Sequence, residues 1–194
     1  MPLVVFSYAA SGITLTQAGV PANSATSFRM FVEATPGASN GVVGSYSSGF
    51  AIANSGTTGL SVNLELTSLA GAPVAAATVA VPASGVSPQF LGDVFPDLTL
   101  PFQGILRITS PSSNIAVVGL RIRYNERGEF LMTTTPPADE NGPTDNNELD
   151  FPQILNGGGF TTQFVLFSGA AGQTSSGNLT SFTQQGSVLN LELN

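Results

Sequence analysis

The chain has 194 residues, twelve acidic side chains against five arginines, a formal net charge of −7, and no Cys, His, Trp or Lys. That inventory excludes zinc and copper sites built on imidazole or thiolate, Ser–His, Cys–His and Ser–Lys nucleophiles, and disulfide staples. The negative charge opposes binding to phosphate backbones and to anionic membrane surfaces, so nucleic acid is not an expected partner.

In chain order, the first six residues (Met1, Pro2, Leu3, Val4, Val5, Phe6) carry no basic leader region, so they read as a strand and not as a signal peptide. Residues 3–8 are the natural donor for strand addition to another chain, against the simpler reading that they pair within their own sheet. Phe28, Met30 and Val32 form an apolar stripe with Arg29 and Glu33 opposite, and Phe50 and Ile52 continue the pattern. Val62, Leu64 and Leu66 alternate with Asn63, Glu65 and Thr67, a period of two with one buried and one wet face. Residues 89–95 place Phe90, Leu91 and Val94 at helical spacing, enough for one short turn. No longer helix is expected, because no window of a dozen residues shows helical periodicity.

Further on, Phe102, Leu106 and Ile108 line one strand face, and Val118, Leu120, Ile122 and Tyr124 line another. Residues 110–114 between them are turn formers and read as a hairpin loop. Residues 125–128 link Tyr124 to 129–132, with Gly128 free to supply a positive φ in a second hairpin. No apolar stretch reaches the roughly 18–20 residues that a membrane-spanning helix needs, so no membrane insertion is expected. Strands punctuated at short intervals by Gly and Pro indicate an all-β chain: an antiparallel β-sandwich, Ig-like or jelly-roll-like, or two sandwich halves sharing an interface.

Residues 28–136 form the expected central sandwich, 137–150 an acidic linker rich in Pro and Asn, and 151–194 a set of C-terminal strands. Neither 1–27 nor 151–194 is long enough to be stable alone without disulfide or metal, so both should pack on the same unit. The run from Gly49 to Gly56, followed by Leu64 and Gly71, has a counterpart in Gln163 to Gly169, Leu179 and Gly186, about 115 residues later. Residues 151–194 therefore read as a partial repeat of 28–74.

Several motifs occur in a fixed order: 28–33, 49–54, 102–107, 123–130, 133–136 and 157–164. Together they resemble a β-rich module found at the C-terminal end of large secreted multidomain proteins of soil bacteria. The resemblance runs from about Gly12 to the end. It implies an extracellular or cell-surface setting beside other modules, and it brings no catalytic residues to carry over.

Candidate chemistry is sparse. Arg121 and Arg123 share the face opposite Val118, Leu120 and Ile122, and Arg107 also points away from its core stripe. Three arginines on one face would clamp a carboxylate or sulfate. The competing reading is an exposed surface paired to Glu33, Glu65 or Glu129. Asp139, Glu140, Asp145 and Glu148 offer oxygen ligands to calcium, although EF-hand spacing is absent and a solvated linker has the same composition. No other cofactor is expected. Glu126 and Glu129 flank one turn and are the candidate pair for carboxylate-dependent hydrolysis. Residues 157–159 are three glycines without the Lys or helix of a phosphate loop, and Asn178-Leu179-Thr180 matches a glycosylation pattern that short sequences often reach by chance.

The expected function is accordingly non-catalytic: an extracellular or cell-surface structural or adhesion module acting through protein contacts, including self-assembly by strand addition. A carbohydrate-binding module is the alternative, weakened by the absence of Trp and by only three Tyr for stacking on sugars. A carboxylate-dependent hydrolase is the second alternative.

Overall fold

The computed structural model describes residues 3–111, 114–142, 150–151, 153–155, 157–168, 172–173 and 176–189. Strand β1 (Leu3–Ala10) and strand β2 (Ile13–Pro21) form a hairpin. The body comprises β3 (Ser27–Ala34), β4 (Tyr46–Asn54), β5 (Leu60–Ser68), β6 (Pro73–Val81), β7 (Gly85–Phe90), β8 (Phe102–Thr109), β9 (Ala116–Tyr124) and β10 (Phe130–Thr135). A single helical turn, α1 (Leu91–Val94), lies between β7 and β8. Three two-residue strands follow: β11 (Ala138–Asp139), β12 (Ser181–Phe182) and β13 (Val188–Leu189).

All pairings are antiparallel. One layer runs β6-β5-β8-β3, with β11 on the outer side of β3. The other runs β7-β4-β9-β10. The layers join into one nine-stranded sheet through a single register pair, Ala34 with Ser47, between β3 and β4. Both layers send alternate apolar residues into one core. Phe28, Met30, Val32, Val62, Leu64, Leu66, Leu106 and Ile108 enter from the first, Phe50, Ile52 and Val117 from the second, and Leu91 and Phe95 close one side. Each such side chain contributes roughly 1.5–3 kcal/mol when fully buried. The antiparallel β-sandwich read from the period-two pattern is the observed architecture.

Local expectations fare unevenly. The turn at 91–94 is present: Leu91 is fully buried and Val94 packs on the core, while Phe90 is exposed. The hairpin between β9 and β10 is also present. Asn125 Oδ1 accepts the backbone N–H of Arg127 (3.0 Å) and of Glu129 (2.9 Å), and Gly128 sits at φ 73°. The hairpin expected at 110–114 is not formed. β8 pairs with β3 and β5 while β9 pairs with β4 and β10, so the chain crosses there from one layer to the other. The crossing is held by Ser110 N–H donating to Thr26 C=O (2.8 Å) and by a bridge between Ala25 and Ile115. Turn formers specify a change of direction, whereas the pairing partner is decided by which layer buries each strand's apolar face.

The face of β9 is also reversed from expectation. Val117, not Val118 or Leu120, belongs to the core, and Gly119 lies opposite Phe50 in register. A side chain at Gly119 would come within 2.5 Å of the Thr135 carbonyl oxygen and collide with Met30, so a residue without Cβ is needed for close approach here. The stripe ending at Tyr124 lies on the face away from that core, where Ile122 is nonetheless buried, Tyr124 meets Phe130 edge-on at 5.6 Å and Phe130 meets Tyr8 at 5.0 Å. This aromatic row seats the β1–β2 hairpin against β10. The Thr16 hydroxyl donates to Met132 C=O (2.7 Å) and accepts Met132 N–H (3.2 Å), and the Thr134 hydroxyl donates to Gly19 C=O (2.9 Å). Residues 161–168, the counterpart of β4 in the expected repeat, carry no assigned strand.

Candidate functional site

The three arginines expected to share one face are divided between the two layers. Arg107 stands on β8, in register with Arg29 on β3 and Glu65 on β5. Arg121 and Arg123 stand on β9, in register with Ser48 and Tyr46 of β4. Strands β4 and β3 lie between them in the sheet order. A common three-arginine clamp is therefore not built, because β8 and β9 were never neighbours.

The first cluster is ionic and partly buried. Glu140, just past β11, has a side chain only 6% exposed. It accepts from Arg107 Nε (2.8 Å) and from the Ser27 hydroxyl, and Arg29 Nε lies 3.7 Å away. Arg107 also donates to Glu65 (2.9 Å). Hydrogen bonds to Glu65 and then Glu140 raise the Arg107 pKa. Burial lowers that of Arg29, with Glu140 opposing the shift and Arg107 adding to it. Arg29 additionally donates to Ser168 C=O and lies over the Phe167 ring at 5.8 Å. One buried carboxylate thus ties β11 to β3 and β8, and Arg29 fastens the C-terminal segment to the same spot.

The second cluster lies at the end of the core face of β4 and β9. Arg121 donates to Glu33, Gln103 donates to the other oxygen of Glu33 (3.2 Å), and Arg123 donates to Glu126. Both guanidinium groups lie over the Tyr46 ring, at 4.3 Å and 5.3 Å from its centre. Arg123 Nε is buried and lacks a hydrogen-bond partner among the described residues. Each arginine already faces a carboxylate, so the arrangement resembles the paired-surface reading more than an open anion clamp.

Of the acidic loop, Asp139 accepts the Asn141 N–H (2.8 Å) and Glu140 is committed to the arginine cluster. Asp145 and Glu148 lie outside the described residues. Among the described residues no group of three or more acids is placed to hold a metal ion. Glu126 and Glu129 are held by separate arginines, Arg123 and Arg127. Glu129 is kept below the usual carboxylate range, first by the Asn125 amide (2.6 Å) and then by Arg127. A general acid requires the opposite shift.

The surface offers a different kind of feature. On the β1–β2 hairpin Val4, Val5, Phe6, Tyr8 and Ile13 are all exposed, Val4 at 60% and Ile13 at 64%. Strand β1 pairs with β2 on one side and with no strand on the other among the described residues. At one end of the nine-stranded sheet, β6 likewise has only β5 beside it among the described residues. Next to β6 a cavity of about 430 Å³ opens between Val74–Ala76 and residues 94–99. The sequence signal for β6 was present, as nine residues (Pro73–Val81) without a charge, but nothing in it marked the strand as an edge. Comparison with known protein families, curated proteins and solved structures returned no match.

Proposed function

We propose that this chain is a non-catalytic structural or adhesion module that acts through protein contacts, with the exposed hairpin as its contact surface. The observation that carries the reading is the apolar β1–β2 hairpin, whose outer strand combines Val4, Val5, Phe6 and Tyr8 with an edge that no strand among the described residues pairs. Contiguous exposed apolar surface marks interaction sites, and an open strand edge supplies backbone donors and acceptors for a partner. The extracellular or cell-surface setting rests on the resemblance in the sequence. The carboxylates and arginines of both clusters are engaged with one another, which favours contact over bond-making.

The test compares the full chain with a Val5→Ser, Phe6→Ser variant for self-association and for adsorption to protein-coated surfaces. The variant should lose both. Unchanged behaviour of the variant overturns the reading. So does turnover of any substrate that vanishes when one carboxylate is replaced.

A further inference from the structure

We infer that the contact is made between copies of this chain, head to tail, with β1 of one copy adding to the edge of β6 in the next. The inference rests on the proposed contact function and names its partner. Five of the longer strands of the two layers and hairpin ladder on one side only among the described residues: β1, β2, β6, β7 and β10. β2 and β10 face each other through the Thr16 and Thr134 hydroxyls, which leaves β1, β6 and β7. β7 is blunted, because Pro88 in its middle has no N–H to donate and is of the kind that natural sheets place on protected edges. β6 has proline only at its first position, Pro73, and is otherwise alanine, valine and one threonine.

Charge argues for a second copy as the occupant. Two molecules of net charge −7 repel wherever their acidic surfaces meet. β1 (Leu3–Ala10) and β6 (Pro73–Val81) contain no charged residue, so they are edges that can meet without that opposition. Their lengths match, at 8 and 9 residues. The cavity beside Ala75 supplies what strand addition needs besides backbone bonds, a recess for alternate side chains of the incoming strand. Ala75 and Ala77 face the core side of β6 and only partly fill it, leaving room beside Leu98 and Phe102. Exposed Phe6 or Val4 on β1 is of a size to enter. Because β1 belongs to the separate hairpin and β6 ends the nine-stranded sheet, the contact joins unlike surfaces, and a contact of that kind propagates into a series unless its rotation closes a ring.

Complementation between two blocked variants of the full chain tests this. One carries Val4→Lys and Phe6→Lys on β1; the other carries Ala76→Lys and Thr78→Lys on the exposed face of β6. Circular dichroism and thermal melting verify that each keeps its fold, and Ala76→Glu alone replaces the second should it not. In sedimentation velocity over a wide concentration range, the parent chain should form a series of larger species. Each variant alone should be monomeric. An equimolar mixture should regain dimers that do not grow, since only one open β1 and one open β6 remain per pair. A mixture that stays monomeric, or a β6 variant that associates like the parent, overturns the β1–β6 contact. Loss of association in the β1 variant only would leave the hairpin as a contact surface with another acceptor. A parent chain that is monomeric throughout overturns the inference outright, whereas the hairpin reading then stands or falls on adsorption to other proteins.

Discussion

Replacing Glu140 by Ala removes the carboxylate shared by Ser27, Arg107 and Arg29. Breaking a fully buried ion pair by deleting one partner costs about 3–5 kcal/mol, because the other charge stays buried and uncompensated. Two features lower that figure here. Arg107 has a side chain 31% exposed and keeps Glu65 at 2.9 Å. Arg29, 11% exposed, keeps its bond to the Ser168 carbonyl. The expected loss is therefore about 2–3 kcal/mol, which for a chain of this length lowers the melting temperature by about 4–12 °C. Urea denaturation should show a lower midpoint with an unchanged slope. Hydrogen exchange should quicken at the Glu140 amide, which donates to Ser27 C=O (3.1 Å). The control is Glu65→Ala: that carboxylate is 53% exposed, and its loss should cost at most about 1 kcal/mol. If the two substitutions cost the same, burial of Glu140 confers nothing and the account of this cluster is wrong.

Two further outcomes follow from the packing and the turn. Gly119→Ala forces the layers or β10 apart, because one atom in the way is the Thr135 backbone oxygen, and it should cost about 1–3 kcal/mol in urea denaturation. Gly92→Ala, with open space around it, should change stability by less than about 0.5 kcal/mol; equal effects would contradict the close approach. Glu129 makes stability acid-sensitive: its folded-state pKa is lowered, so its contribution is present above the usual carboxylate value and is lost as pH falls through the depressed value. The stability difference between the parent chain and Glu129→Gln should accordingly shrink from neutral pH toward strong acid, and a difference that grows on acidification would reverse the assignment.

Much of the fold was legible because its signals are local. The alternation Val62, Leu64, Leu66 marks a half-buried strand whatever surrounds it, and all three are buried on β5. The link 125–128 carries the chemistry of a tight turn in Asn125 and Gly128 alone. The site was less legible. Arg121 and Arg123 sit two residues apart on one strand, so their shared face could be read directly. That Arg107 belongs elsewhere depended on strand pairing across the whole chain. Glu140 gave no local sign of burial among its acidic neighbours, because its partners Ser27, Arg29 and Arg107 come from β3 and β8, far away in the chain.

By itself, the order of residues determined that this chain builds strands, that one brief helical turn interrupts them, and that imidazole, thiol and ammonium chemistry is absent. Only the tertiary structure decided which side of β9 turns inward, that β8 and β9 part company after Thr109, and which strands are left as open edges. The reason is that a period of two tells which side chains stand together, whereas the identity of a strand's neighbour is set by contacts far apart in the chain, where burial of two apolar faces must be satisfied at once.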